Sequence, residues 1–224
     1  MELLRLVAMF LVLCVHANFA ALGFPTTESG INAPFITFIR YIFECLSLVC
    51  VNVFILLSGW YGIRVSVRGF MKFIFEVLFF GVSIWLVGMI AGFVEFSFSG
   101  LRNAFFFTSP LSWFIVSYIG LYILSPVLNS FIERSSKREF EIVLICFFVF
   151  QTLYGWLFDV EGQFQNGYSV ISFIGLYLLS RYIRMYPSRL TTMSRQKDLA
   201  SYLLLCLANA SIGFIACRLD INGI

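Results

Sequence analysis

Long, almost unbroken apolar runs follow one another along the chain, and their length restricts its folding more than any other feature. They are Leu3–Gly23, Phe38–Tyr61, Phe70–Val94, Leu111–Ile132, Phe140–Phe158, Tyr168–Tyr186 and Leu199–Cys217. Each is long enough to cross a bilayer, which takes roughly 18–25 apolar residues as a helix. They are too long and too continuously apolar for the alternating pattern of a barrel strand, so helices are expected. Of the 224 residues 60% are hydrophobic, 12% are charged and 28 are Phe. A soluble domain of this size has too little interior to hide so much apolar side chain, whereas lipid accepts it on the surface. The expected fold is therefore an all-α, polytopic transmembrane helical bundle of about seven spans. The first run does not read as a cleaved signal peptide. Its n-region holds only Arg5, Ala17-Asn18-Phe19-Ala20 is a poor cleavage site, and further apolar runs follow.

The charges between the runs alternate. The first connection, around Pro25-Thr26-Thr27-Glu28, has no Lys or Arg, and the next carries Arg64, Arg68 and Lys72. Arg102 stands alone in the third; Arg134, Lys137 and Arg138 follow in the fourth. Asp159-Val160-Glu161-Gly162-Gln163 is free of basic residues, and Arg181, Arg184, Arg189, Arg195 and Lys197 crowd the last. With Arg5, that puts twelve basic residues on one side and leaves Arg40, Arg102 and Arg218 on the other. The positive-inside rule then predicts a cytoplasmic N-terminus. The net charge of +3 is a matter of topology, not of nucleic-acid binding.

Ionisable groups within the runs are costly, about 2.5–3.5 kcal/mol each on insertion scales, and so invite a functional reading. His16, the only histidine, lies well inside the first run, and Arg5 lies at its cytoplasmic end. Eleven steps of about 100° make three turns plus about 20°, so the two share one helix stripe about 16 Å apart. Neutral imidazole is the cheap form in lipid and also the form that takes a proton, which suits a general base near neutral pH. The plainer alternatives are a snorkelling anchor for Arg5 and a packing hydrogen bond for His16. Arg40 with Glu44, and Lys72 with Glu76, are spaced as local i,i+4 ion pairs. Asn18, Asn52, Ser58, Gln151 and Asn209 are expected in contacts between helices. If helical, the stretch through Arg64, Arg68 and Lys72 forms one basic ridge, suited to anionic lipid or to a phosphate-bearing cytoplasmic ligand. The six cysteines have no CxxC pair and read as buried free thiols. One histidine and no carboxylate cluster supply no zinc site, and no Gly-rich phosphate loop is present.

Several stretches together resemble the membrane-bound acyltransferase-3 family. Arg5 and His16 are similar to its Arg-x10-His motif. Val53-Phe54-Ile55-Leu56-Leu57-Ser58-Gly59-Trp60 resembles its apolar-Phe-Phe-x-x-Ser-Gly-Tyr segment. Ser112-Trp113-Phe114 through Tyr118, Tyr122 and Pro126 resembles its Trp-Phe…Tyr-x-x-x-Pro helix. Gly175 through Ile183 resembles its Tyr-Leu-x-Gly-Arg-Tyr region. The likeness runs from Met1 to about Tyr186. It departs where many members carry Arg-x-x-Arg at the third helix: here Lys72 is followed by Phe75, with Arg64 and Arg68 nearby. Members usually have about ten spans, so this chain is expected to be a single domain over residues 1–224 that is incomplete at its C-terminus.

The resemblance implies a multi-pass protein of a bacterial inner membrane that transfers an acyl group, commonly acetyl, from cytoplasmic acyl-CoA to a hydroxyl of a surface or exported carbohydrate. Acyl-CoA would be the donor substrate, with no permanently bound cofactor. On that reading His16 is the general base. Arg5 is the second catalytic residue and, with Arg64, Arg68 and Lys72, holds the CoA phosphates. A thioester is already activated, so the enzyme needs chiefly to deprotonate the acceptor and to steady an oxyanion. The alternatives are a transporter or lipid-linked saccharide handling protein, or an inactive short member of the family.

Overall fold

The computed structural model describes residues 2–106, 112–158, 164, 167–189 and 191–220. Leu111, the loop 159–163 and the terminal residues 221–224, all part of the expectations above, lie outside them. Among the described residues every regular element is helical: α1 (Glu2–Val15), α2 (Thr27–Asn32), α3 (Pro34–Ser47), α4 (Cys50–Tyr61), α5 (Val67–Ile90), α6 (Phe98–Phe106), α7 (Trp113–Arg134), α8 (Lys137–Thr152), α9 (Val170–Met185) and α10 (Arg195–Arg218). Wider π-helical turns, His16–Ala20 and Leu153–Leu157, prolong α1 and α8.

Five of the described helices are long and apolar enough to cross a membrane: Glu2–Ala20, Pro34–Tyr61, Val67–Ile90, Trp113–Arg134 and Arg195–Arg218. The count of seven is not reached. At 1.5 Å per residue the 16 residues of α9 rise about 24 Å, short of a hydrocarbon core of about 30 Å. α8 with its π turn is not among the five, although together they are no shorter than α1 with its own. The long helices carry their apolar side chains outward. No residue of α5 is buried, and Phe75, Phe79, Phe80, Ile84, Val87 and Ile90 are exposed. In water such a surface would aggregate, while in a bilayer it meets its natural solvent.

The chain divides into two compact units, one of residues 1–57 with 187–224 and one of residues 58–186. In the first, α10 packs along α3 and α1 packs on α3 as well. Phe19, Tyr41, Ala210 and Cys217 form its core, flanked by Phe38, Ile42, Cys45 and Phe214. The Tyr202 hydroxyl donates to Leu46 O, tying α10 to the end of α3. Four of the cysteines are buried, Cys45 is half-buried and Cys146 is exposed; all are free thiols.

In the second unit α9 is central, burying Ser172, Phe173, Gly175, Tyr177, Leu178 and Ser180 against α7 and α8. A Cβ on Gly59 would lie 2.7 Å from Tyr177 O and 2.8 Å from Ser180 Cβ, so only glycine lets the end of α4 lie against α9. Gly62 then closes α4 in the left-handed region (φ +77°), its N–H accepted by Ser58 O at 3.0 Å. Ser58 meets the Tyr118 hydroxyl at 3.3 Å, and Gln151 Nε2 donates to Ser172 Oγ at 3.3 Å, as expected of contacts between helices. Asn209 departs from that expectation. Its amide folds back onto Leu205 O at 2.8 Å, within its own helix. Asn52 makes no side-chain hydrogen bond among the described residues.

A capping box opens α8. Ser136 Oγ accepts from Glu139 N at 3.3 Å, and Glu139 Oε2 accepts from Ser136 N at 2.8 Å. These bonds from Ser136, backbone first, hold the Glu139 carboxyl below its ordinary 4.5. A depressed folded-state pKa contributes stability that is present above the unfolded value and is lost as pH falls through the folded one. Side-chain carboxyl NMR should therefore place the Glu139 midpoint below 4.5, and Ser136→Ala, which removes the hydroxyl but keeps the backbone N–H, should raise it only part of the way; an unmoved midpoint in the variant would refute any share of the hydroxyl in the effect.

Candidate functional site

The unbroken α-helical register from Glu2 to Val15 keeps Arg5 and His16 on one stripe of α1, as their spacing predicts. Both side chains are exposed on the described surface, and Ala8 and Cys14 are the residues that α1 buries. Arg5 Nη1 donates to Glu2 Oε1 at 3.0 Å, an exposed pair worth little by itself. His16 Nδ1 lies 2.8 Å from Val12 O. A carbonyl only accepts, so Nδ1 carries the hydrogen, and the lone pair of the neutral ring is left on Nε2. A backbone carbonyl one turn back thus sets both the tautomer and the orientation that a general base requires.

The π turn starts at His16 and accommodates one more residue than an α turn does. It brings Asn18 into the interior, where Nδ2 donates to Arg40 O at 3.0 Å and to Glu44 Oε2 at 2.9 Å. Arg40 Nε donates back to Asn18 Oδ1 at 3.1 Å, and its guanidinium stacks 5.6 Å over the Phe19 ring. Arg40 and Glu44 are not the local ion pair that their spacing predicts, since the amide of Asn18 stands between them. Glu44 and His16 lie close enough to interact electrostatically. Beyond this cluster a cavity of about 640 Å³ is lined by Phe19, Phe24, Tyr41, Thr26, Thr27 and Asp220, among others.

The basic stretch expected as one ridge is broken in the second unit. Arg64 lies outside any helix, in the 62–66 connection, because Gly62 has already ended α4 and Ser66 caps α5 by accepting from Gly69 N at 3.0 Å. Arg68 and Lys72 share a face of α5, and Lys72 pairs with Glu76 at 3.7 Å, as their spacing predicts. Three side chains hold the connection itself. Tyr177 Oη accepts from Ile63 N at 3.1 Å and donates to Asn129 Oδ1 at 2.7 Å, while Asn129 Nδ2 donates to Ile63 O at 2.9 Å. Tyr122 Oη both accepts from Ser66 N at 3.1 Å and donates to Ser66 O at 3.2 Å. Arg64 is thereby carried on backbone pinned on either side of it.

Sequence reading missed Asn129, and it missed the roles of Tyr122 and Tyr177. Their types were informative, since a phenol or amide inside an apolar helix must find a partner; the partner, a loop backbone far along the chain, was not visible. The structure brings together the three helical stretches quoted above from α4, α7 and α9, through Ser58–Tyr118 and Gly59–Tyr177. A family model described as an acyltransferase domain matches residues 1–220. No curated protein matches the chain, and no solved structure does.

Proposed function

As the chain belongs to the acyltransferase-3 family and is thus a membrane acyltransferase, we propose that it moves an acyl group, acetyl first among candidates, from acyl-CoA to a hydroxyl of a surface or exported carbohydrate. The membrane would be the bacterial inner membrane, with the basic loops and the donor on its cytoplasmic side. One observation carries the reading: the exposed imidazole of His16, held by Val12 O so that Nε2 is the free base.

In the proposed reaction Nε2 takes the proton of the acceptor hydroxyl as that oxygen attacks the thioester carbonyl. The tetrahedral oxyanion then collapses, the C–S bond breaks, and the CoA thiolate recovers the proton from the imidazolium. The cavity of aromatic faces and hydroxyls beyond the π turn suits a sugar ring, and it lies in the same unit as His16. By charge alone, and with no placement of one unit against the other, we assign Arg5 in the first unit, and Arg64, Arg68 and Lys72 in the second, to the CoA phosphates.

Purified protein in nanodiscs, supplied with radiolabelled acetyl-CoA and deacetylated surface polysaccharide, should release CoA and label the carbohydrate. Folded protein that consumes no acyl-CoA with any such acceptor would remove the proposal. Arg5→Ala should raise the apparent KM for acyl-CoA about tenfold, as for loss of a hydrogen bond to a charged group, with Arg5→Lys between. An unchanged KM in both would reduce Arg5 to an anchor.

A further inference from the structure

We infer that Arg181 is the deep anchor for a phosphate group bound at the basic-rich end of the second unit; that this phosphate belongs to the acyl-CoA donor rests on the reading above. Arg181 stands one turn after Tyr177 on α9, the most buried helix of that unit. Its side chain is partly covered, and its Nε is wholly shielded without a hydrogen-bond partner. The guanidinium makes no hydrogen bond or ion pair among the described residues. Its neighbours differ. Arg184 donates to Trp60 O and lies over the Trp60 ring, and Lys137 pairs with Glu141 at 3.7 Å.

A shielded Nε without a partner is costly, and an anion held on the Nη nitrogens of the same guanidinium would offset part of that cost by neutralising its charge. The C-terminal position of Arg181 on α9 offers the charge some relief through the helix dipole, but it leaves the donors of the planar fork unused. That fork matches phosphate oxygens two at a time. Gly62 packs directly beside it. A Cβ on Gly62 would lie 3.4 Å from Arg181 Nη1, and the left-handed φ of Gly62 disfavours any larger residue there. The backbone that follows is fixed by Tyr177 and Asn129 at Ile63, and the next residue is Arg64, whose guanidinium also makes no hydrogen bond or ion pair among the described residues. Positive-inside topology explains a basic residue at the end of α9, but not one whose Nε is shielded without a partner.

Phosphate could reach this place from the donor nucleotide or from a lipid headgroup, and binding measurements separate the two. Isothermal titration of CoA into protein in phosphatidylcholine nanodiscs should show affinity at least tenfold weaker for Arg181→Gln than for the parent. Arg181→Lys, which keeps the charge but not the fork, should fall between. Arg189→Gln, an equal loss of charge in an exposed loop, should stay within twofold of the parent. If Arg181→Gln does not fold, as judged by its thermal transition, the Lys variant alone decides: parental affinity in it overturns the anchor. CoA affinity equal in Arg181→Gln and Arg189→Gln, with the parent binding well, overturns the inference while leaving the acyl-CoA reading intact. Loss of phosphatidylglycerol retention in Arg181→Gln, with CoA affinity unchanged, assigns the anchor to a lipid and overturns the donor assignment. A parent that binds no CoA removes the acyl-CoA reading itself, and the donor assignment with it.

Discussion

His16→Gln should lower acyl transfer by about 10²–10⁴-fold, the usual worth of a positioned general base, while leaving the amount of folded protein in the membrane unchanged. Gln is close to His in size and polarity but cannot take a proton near neutral pH. The side chain is exposed on α1 and its one recorded hydrogen bond is to the carbonyl of its own helix, so little packing is lost. Turnover should fall with little change in the KM for acyl-CoA, because the ring is assigned to the acceptor proton rather than to donor binding. Transfer assays in membranes, normalised to protein level, measure this. Parental turnover in the variant would take His16 out of the mechanism.

The second large effect is structural. Gly59→Val should prevent recovery of monodisperse protein, and Gly59→Ala should lower the thermal transition by the equivalent of about 1–3 kcal/mol, the range for overpacking a tight contact. The atoms that a Cβ would meet are Tyr177 O and Cα, at 2.7 and 3.2 Å, and the Cβ of Ser180. Backbone cannot rotate away as a side chain can, so α4 and α9 would have to separate. Separation would also pull Ile63 N, on the connection that follows α4, from Tyr177 Oη, a bond worth about 1 kcal/mol. Ser58→Ala, one residue earlier, removes the hydroxyl contact to Tyr118 and should cost less. A Gly59→Val protein as heat-resistant as the parent would mean that the two helices do not need this contact.

The helical character, the long spans and the Arg5–His16 stripe were legible because each depends on local periodicity, which the sequence carries directly. The number of crossings was not, because α9 gives up helical length at its ends, at the Ser169 cap and at Tyr186, and hydropathy does not register that loss. The basic ridge failed for a similar reason: four-residue spacing implies a shared face only if the helix continues, and Gly62 ends it. The Arg40–Glu44 pair failed because Asn18, distant in sequence, offers both of them hydrogen bonds. Arg181 looked like one more topogenic charge, and only the shielding of its Nε sets it apart.

Residues 16 to 20 wind one surplus residue into the first span, and such a surplus has a distinct response to deletion. Removing a residue elsewhere in α1 would turn all that follows by about 100° and spoil an ordinary helix. Removing Ala17 would instead let the widened turn tighten to normal pitch, leaving Arg5 and His16 aligned as before while swinging the Asn18 amide off α3. The reactive stripe and the docking of this span onto its neighbour can therefore be varied one without the other.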